Sequence, residues 1–419
     1  HHSHVPYPYL NTPNENLNPM TSPTELHPWE GPHWSVSPHN FDPEIAVPPR
    51  PVQLHDITMR DGEECADAAF TVEDKVRIAE ALATLGVRRT ELFLTVPGWY
   101  EAVRAIMARQ LPLDLYVTWD GEKTKRVMDL GVRHVMVWYR SSDVYQQHVL
   151  QRDRSALLES ALGEVREAKA RGAYVNFFMP ESTRLQLDTL RETAVAAEQA
   201  GADAFTLVDS LSICRPTAMS FLVRKLKSFT RKPVEVHCHN DYGLGVANVL
   251  AAYEAGADAL DCSVNALGYR AGGAAIDEVA VALEALYGVR TGLRLELLPW
   301  VSQLVAEITG IPIGYFKGVT GGGAMRYEQW NATAKLEAAG QRRASFAFEP
   351  EWVGRVPQVV IGKWSDAGAV EKRLADLGLQ ATAEQIADIL HCSRQMGVAV
   401  HRPLTDAEFL QVARQAGAV

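Results

Sequence analysis

Hydrophobic and polar positions along the chain change their pattern at about residue 51. Residues 1–50 show neither the alternation of a strand nor the period of a helix, and they are rich in proline, asparagine and histidine. This stretch is predicted to form an extended arm. Trp29, Trp34 and Phe41 are the apolar side chains expected to pack it on the rest of the protein.

From residue 51 onward, eight short β-rich apolar runs alternate with amphipathic segments of helical period. The predicted strands are residues 51–58, 89–96, 113–118, 133–139, 174–179, 204–210, 234–239 and 259–264. The first helical segment has both end signals, because Thr71 is a predicted N-cap before Glu73 and Asp74, and Gly86 is a predicted C-terminal stop.

Eight strand–helix units in sequence predict an α/β fold, a (β/α)8 TIM barrel over residues 51–290. A doubly wound open sheet is the alternative, but it usually has fewer strands, and no Gly-x-Gly-x-x-Gly follows the first run. Residues 291–345 are predicted to be a linker or lid region with a glycine-rich loop. Residues 346–419 are predicted to form a C-terminal helical subdomain.

Composition and charge exclude several classes of function. With 47% hydrophobic and 22% charged residues, the chain has the composition of a soluble globular enzyme. A net charge of −10 without a basic cluster argues against nucleic-acid binding. No apolar stretch reaches the roughly 20 residues of a membrane span. Five scattered cysteines and a start without a secretory pattern predict a reducing, cytoplasmic location; His1, His2 and His4 are excluded from any metal assignment.

Polar residues cluster at the C-terminal ends of the predicted strands, where a barrel places its functional groups. Arg60 and Asp61 follow strand 1, while His237 and His239 lie in strand 7. These two imidazoles point the same way because strand side chains alternate. Barrel closure would bring a strand-1 carboxylate beside them, giving a His2-carboxylate metal site with open positions. The alternative is a pair of buried, hydrogen-bonded histidines.

One further residue fits this arrangement, and one neighbouring cysteine does not. Glu91 lies in an otherwise apolar strand, where a lone carboxylate would be costly to bury, and Arg60 on the neighbouring strand is its expected partner. An Arg60–Asp61 surface ion pair is the alternative, but the position after a core strand favours the site. Cys238 faces away from the histidines and is expected to be a core residue.

These motifs resemble the DRE-TIM metallolyase superfamily, which includes isopropylmalate, homocitrate and citramalate synthases and 3-hydroxy-3-methylglutaryl-CoA lyase. The matching segments are DITMRDGEE (56–64), FFMPESTR (177–184), VDSLS (208–212), HCHNDYGLGVANVLAAYEAGAD (237–258) and DCSVNALGYRAGGAA (261–275). Residues 348–390 resemble the helical subdomain of the condensing branch.

The resemblance implies that Asp61, His237 and His239 hold one divalent ion: Mn, Mg, Zn, Co or Fe. It implies that Arg60 stabilises an enolate or polarised carbonyl and that Glu91 pairs with Arg60. Its other implied groups are the catalytic Glu181 and the substrate-binding Arg184, Ser210, Asn265 and Tyr269.

The chain also departs from the family pattern. Gly273 stands where an asparagine usually completes the metal shell, and Tyr269 replaces a glutamate. The segment comparable to the lid of the condensing enzymes has no histidine, which leaves Tyr327 as its candidate catalytic acid–base. The cysteine of the lyase's glycine loop is absent from residues 268–273.

The predicted function is divalent-metal-dependent condensation of an acyl-CoA with a 2-oxo acid. The resemblance also implies a homodimer, in which the C-terminal region of one chain reaches the neighbouring barrel. One alternative is a lyase or aldolase, or a metal enzyme that acts on an oxo acid or lactone without CoA. Another is a non-catalytic binding homologue. The substrate side chain, the use of CoA, the native metal and the reaction direction are left open.

Overall fold

Eight parallel strands, hydrogen-bonded in chain order, close into a barrel in the computed structural model, which describes residues 27–418. His1, His2 and His4 lie outside the described residues. The strands are β1 (Gln53–Asp56), β2 (Arg89–Leu92), β3 (Asp114–Thr118), β4 (His134–Trp138), β5 (Tyr174–Met179), β6 (Ala204–Asp209), β7 (Val234–Cys238) and β8 (Ala259–Cys262). Parallel pairing of β1 with β8, with His55 opposite Asp261, completes the closure and confirms the predicted TIM barrel.

Helices follow the strands and cover the outside of the barrel. They are α1 (Val72–Leu85), α2 (Trp99–Ala108), α3 (Gly121–Asp129), α4 (Asp143–Tyr145), α5 (Arg154–Ala170), α6 (Leu187–Ala200), α7 (Pro216–Phe229), α8 (Gly245–Glu254) and α9 (Ile276–Tyr287). The predicted ends of α1 are confirmed. Thr71 and Asp74 form a reciprocal capping box, and Gly86 ends the helix with a φ of 104°, which favours glycine.

Several strands are shorter than predicted at their C-terminal ends. β1 stops at Asp56 and β2 at Leu92, whereas the apolar pattern extends to residues 58 and 96. The residues beyond these ends leave the ladder and turn into loops, among them the single 3₁₀ turn Gly62–Glu64. Because β1 ends at Asp56, Arg60 and Asp61 lie in the loop at the mouth of the barrel.

The chain after the barrel forms a second group of elements. They are α10 (Leu298–Thr309), β9 (Arg326–Tyr327), α11 (Asn331–Ala338), β10 (Gln358–Val359), α12 (Ala367–Asp376), α13 (Ala383–Val400) and α14 (Asp406–Gln415). The C-terminal helices expected from the sequence are present as α12, α13 and α14, whereas the short parallel β9–β10 ladder was not predicted. A separate apolar cluster that includes Trp330, Phe346, Ile389 and Phe409 holds β10 and α12 to α14 together, whereas the buried residues of α10 belong to the barrel core.

The described part of the N-terminal arm packs on this second group. The ring of Trp34 lies 4.9 Å from that of Trp352, and the Glu349 backbone N–H donates to the carbonyl of His33. Trp29 stacks on His27 at 4.4 Å, and Phe41 is half-buried. Trp34 therefore has the packing role that the sequence predicts. No helix within residues 27–418 is both long and apolar enough for a membrane span.

Candidate metal centre

Asp61, His237 and His239 meet at the mouth of the barrel. The Nε2 atoms of the two histidines are 3.3 Å apart, and Asp61 Oδ1 lies 3.8 Å from one and 3.9 Å from the other. Potential ligand atoms of all three residues lie within 4.8 Å of one another. The strand period that places both imidazoles on one face, and the closure of β1 against β8, produce this cluster.

The other ring nitrogen of each histidine already has a neighbour. His237 Nδ1 lies 3.0 Å from Asp261 Oδ2, and His239 Nδ1 lies 3.3 Å from the carbonyl oxygen of Gly272. With the ring proton on Nδ1 donated to these acceptors, the Nε2 lone pairs face each other and Asp61. Metal-binding histidines are oriented in this way, by a carboxylate or carbonyl behind the ring.

The electrostatics of the cluster favour neutral imidazole ligands. Burial lowers the pKa of His237 well below its ordinary value, and Arg60 and His239 act in the same direction against the opposing effect of Asp61. Burial raises the pKa of Asp261 to about 7, although His55 opposes this effect. This direction favours the neutral imidazole of His237, which is the form that binds a metal.

A buried oxygen without a partner tests whether these residues fit a cation. Asp61 Oδ2 is buried and has no hydrogen-bond partner in the part of the chain that the structure describes. A carboxylate oxygen in that state is costly unless something positive binds it. Two imidazole nitrogens and a carboxylate are a donor set that suits a catalytic divalent metal, so the residues fit the implied ion.

A second cluster with metal-binding residue types, His55, Glu235 and Asp261, lies deeper in the barrel. Its residues already neutralise one another and a buried cation: Arg89 Nη2 donates to Glu235 Oε1 at 2.6 Å, and His55 Nδ1 lies 3.4 Å from Glu235 Oε2. All three are buried. An added dication would compete with Arg89, so the upper cluster is the better candidate.

Arg60 lies beside the upper cluster and contacts three carboxylates. Its Nε donates to Glu91 Oε2 at 2.5 Å, and its Nη1 donates to Asp61 Oδ1 at 3.2 Å and to Glu64 Oε1 at 3.1 Å. Burial alone would lower the pKa of Arg60, but the three carboxylates outweigh it and raise the pKa. The guanidinium is thus a fixed positive charge at the cavity floor, with Glu91 as the partner that the sequence predicts.

A cavity of about 360 Å³ opens above these groups. Of the substrate-side residues predicted from the sequence, Glu181, Ser210 and Tyr269 line it. Ser210 Oγ accepts a hydrogen bond from the Glu181 backbone N–H at 2.9 Å, which fixes the loop after β5. Tyr269, at 47% relative exposure, lies at the rim.

Three predicted residues lie outside the lining of this cavity. Arg184 lies 4.0 Å from Glu181 Oε2 and is 41% exposed in its side chain. Asn265 donates to the carbonyl of Ser302 at 2.8 Å, so its amide anchors α10. Tyr327 packs on Phe346, with ring centroids 5.6 Å apart, within the C-terminal group of elements.

Gly273 forms an isolated antiparallel bridge with His239. The position that carries an asparagine in the resembling motif is therefore adjacent to the cluster, and a Cβ there would lie 3.3 Å from the carbonyl of Cys238. Glycine offers no side-chain ligand at this position, so the side chains of this cluster that could hold a metal are those of Asp61, His237 and His239.

Sequence reasoning missed two groups of residues. Asp261, behind His237, has the same signal as Glu91, a carboxylate inside an apolar strand. Trp138, Arg140 and Phe178, which line the cavity, come from the C-terminal parts of β4 and β5 or just beyond. The rule that barrel strands point their ends at the site would have found Arg140.

Comparison with known proteins places this geometry in a family. The HMGL-like family model matches residues 51–305. Homocitrate synthase AksA of Methanopyrus kandleri is 34% identical over 372 residues, which cover 87% of this chain and 92% of that protein. The 2-isopropylmalate synthase of Methanocaldococcus jannaschii is 33% identical over 345 residues, which cover 80% of this chain and 65% of that protein.

Among solved structures, hydroxymethylglutaryl-CoA lyase from Pseudomonas aeruginosa superposes with a TM-score of 0.58 at 22% identity, covering 64% of this chain and 95% of that chain. At this identity the likeness supports the fold alone. The chain belongs to the HMGL-like family. It is an enzyme of the DRE-TIM metallolyase type, and the two sequence relatives reported above are synthases of this type.

Proposed function

We propose that the protein condenses an acyl-CoA with a 2-oxo acid, using one divalent cation held by Asp61, His237 and His239. The observation that carries the proposal is the convergence of these three side chains with Arg60 on the floor of one cavity. The synthase relatives match 87% and 80% of the chain, whereas the lyase structure covers 64% of it.

When bound, the cation supplies Lewis-acid polarisation of the 2-oxo acid. Arg60 adds a positive charge, because its guanidinium group is protonated before the reaction and stays so throughout it. Its contacts with Glu91, Asp61 and Glu64 hold the guanidinium still, so it stabilises negative charge as it develops on the carbonyl oxygen. The tight packing of Arg60 thus serves the transition state rather than substrate binding.

A carboxylate must remove a proton from the acyl methyl group before the carbon–carbon bond forms. Glu181 and Glu64 both line the cavity. Glu64 already accepts from Arg60, whereas Glu181 has its nearest cation 4.0 Å away. We therefore assign the proton transfer to Glu181. Water then hydrolyses the thioester and releases the free thiol of CoA. Tyr327 has no part in this scheme, because it lies outside the cavity.

The test is a substrate screen with the purified 419-residue chain. Acetyl-CoA and each of several 2-oxo acids are mixed with the protein and Mn²⁺ or Mg²⁺, and thiol release and product mass are measured. Thiol release that requires a 2-oxo acid, with a product carrying both carbon skeletons, supports condensation. Product formation from a hydroxy acid without CoA, and no thiol release with any 2-oxo acid, would overturn it.

One observation favours the second candidate, a lyase or aldolase. The segment over residues 315–330 has no histidine, so the lid lacks the acid–base group expected of a synthase that condenses acetyl-CoA with a 2-oxo acid. The same metal site and Arg60 would stabilise the enolate left by carbon–carbon cleavage. The screen therefore also includes hydroxy diacids as substrates in the cleavage direction. A catalytically inactive binding homologue predicts no turnover in either direction.

We also propose a homodimer. Phe316 is 95% exposed and the adjoining Tyr315 is 55% exposed, both in the glycine-rich loop that follows α10. Two large apolar side chains at one exposed loop are typical of an interface. Light scattering should give twice the chain mass of 46.2 kDa, and Phe316→Asp should lower that mass; a monomeric wild-type mass would contradict the proposal.

A further inference from the structure

A continuous wall of aromatic rings leads away from the candidate metal centre. The ring of Phe178 lies 5.7 Å from that of His237, edge to face, and Trp138 stacks on Phe178 at 4.9 Å with an interplanar angle of 19°. Both aromatic residues line the same cavity as the metal-binding residues. The wall gives a substrate an apolar path that starts at the metal.

A guanidinium stands at the far end of this wall. The Cζ atom of Arg140 lies 5.5 Å from the centroid of Trp138 and 4.8 Å from that of Tyr145. Arg60 Cζ also lies 5.5 Å from the Trp138 centroid. The distance between the Cζ atoms of Arg60 and Arg140 is therefore at most twice 5.5 Å. A ligand with a short carbon chain can contact both guanidinium groups across such a distance.

Arg140 is exposed and, unlike Arg60 and Arg270 in the same cavity, has no counter-charge in the described part of the chain. Arg60 contacts three carboxylates, and Arg270 forms a two-pronged pair with Asp241 at 2.9 and 2.8 Å. Within residues 27–418, the Arg140 guanidinium has neither an ion pair nor a hydrogen bond. Beside it, the buried Nε1 of Trp138 has no hydrogen-bond acceptor among the same residues.

The loop after β4 holds Arg140 in place. The buried amide of Gln146 donates to the Arg140 carbonyl at 2.9 Å and to Tyr139 Oη at 3.1 Å. Ser141 Oγ donates to the carbonyl of Pro180 at 2.8 Å. A π-helical turn, Gln146–Leu150, follows, and such turns are frequent at functional sites. The loop thus fixes the backbone of Arg140, while its exposed side chain lies against the rings of Trp138 and Tyr145.

Resting on the proposed function, we propose that Arg140 binds a second, distal carboxylate of the substrate, so that the 2-oxo acid is a dicarboxylate. The oxo-acid end lies at the metal centre, the methylene chain runs along Phe178 and Trp138, and the distal carboxylate pairs with Arg140. A guanidinium suits this role because its fork binds both carboxylate oxygens.

The test compares two ligands that differ only in the distal group: 2-oxoglutarate and 2-oxopentanoate. Binding of each to the Mn²⁺-loaded protein is measured by calorimetry without acyl-CoA, in the wild type and in Arg140→Gln. The wild type should prefer 2-oxoglutarate. Loss of one charge-assisted pair should weaken 2-oxoglutarate binding about 10- to 100-fold and leave 2-oxopentanoate nearly unchanged.

Arg152→Gln is the matched control, because Arg152 is exposed and nearby but does not line the metal cavity. It should leave both affinities unchanged. Arg140→Lys keeps the charge without the fork and should fall between wild type and Arg140→Gln. Equal wild-type affinities for the two ligands, or equal losses in the two glutamine variants, would overturn the proposal.

The two proposals fail in different ways. If 2-oxoglutarate binding depends on Arg140 but no thiol is released, the distal subsite stands and condensation is refuted. If thiol is released with 2-oxopentanoate and Arg140→Gln has no effect on binding or turnover, condensation stands and the distal subsite is refuted.

Discussion

Replacing Glu91 by glutamine separates the charge of this side chain from its shape. Glu91 and Arg60 are 1% and 2% exposed, and they share the shortest contact of the site, 2.5 Å between Oε2 and Nε. Glutamine keeps an acceptor oxygen there but no charge. The difference between a charge-assisted and a neutral hydrogen bond is about 1–2 kcal/mol, so we expect Glu91→Gln to lower the free energy of unfolding by that amount.

The effect on catalysis should be larger than the effect on stability. Arg60 would still contact Asp61 and Glu64, but both of these carboxylates accept hydrogen bonds from Nη1. The guanidinium would therefore lose the charge-assisted hydrogen bond at Nε that fixes its orientation. Loss of a preorganised donor at a developing oxyanion costs about 100- to 1,000-fold in kcat. The assay measures kcat and KM for thiol release, alongside denaturant unfolding of the same samples.

Glu63→Gln is the matched control on the same segment. Glu63 and Lys75 form another buried ion pair, 2.8 Å apart, away from the cavity lining. This variant should show a similar loss of stability with kcat close to that of the wild type. A Glu91→Gln enzyme with wild-type kcat, or a Glu63→Gln enzyme with an equal loss of kcat, would refute the positioning of Arg60 by Glu91.

Four further outcomes are expected. His237→Ala should lower bound metal well below one per chain by elemental analysis and abolish turnover; full occupancy would contradict the ligand assignment. Arg60→Ala should keep the metal but lose the reaction, so unchanged turnover would remove it from the mechanism. Asp261→Asn should weaken metal affinity about 10- to 100-fold in chelator competition, because it no longer orients His237; unchanged affinity would count against this. Burial raises the pKa of Glu235, but Arg89 and His55 outweigh it and lower the value to about 2 from an ordinary 4.5. The ionised Glu235 carboxylate therefore stabilises the fold above pH 4.5, and this stabilisation is lost as the pH falls toward 2. Arg89→Met should raise the pH at the midpoint of acid unfolding; an unchanged midpoint would contradict this role of Arg89.

The barrel was predictable because its signals are local and repeated. Each strand is a short apolar run, and single residues mark the ends of α1, with Thr71 as its N-cap and Gly86 as its C-cap. The pairing of His237 with His239 follows from the strand period alone, and closure then brings Asp61 to them. These features need no knowledge of distant packing.

Other parts of the site depend on contacts that the sequence does not encode locally. Asn265 stands in a motif near the cavity, yet its backbone adopts a left-handed conformation and its amide turns to Ser302 on α10. Tyr327 lies in a loop by composition, but packing on Phe346 draws it into the C-terminal cluster. Arg140 was overlooked because no motif marks it, although its position just beyond β4 is one from which a barrel residue reaches the site.

Anomalous diffraction from crystals of the Mn²⁺-loaded protein tests the central claim most directly, because it locates the ion without reference to activity. A single strong peak is predicted between Asp61 Oδ and the Nε2 atoms of His237 and His239. A peak among His55, Glu235 and Asp261, or no peak at either cluster, would contradict the account.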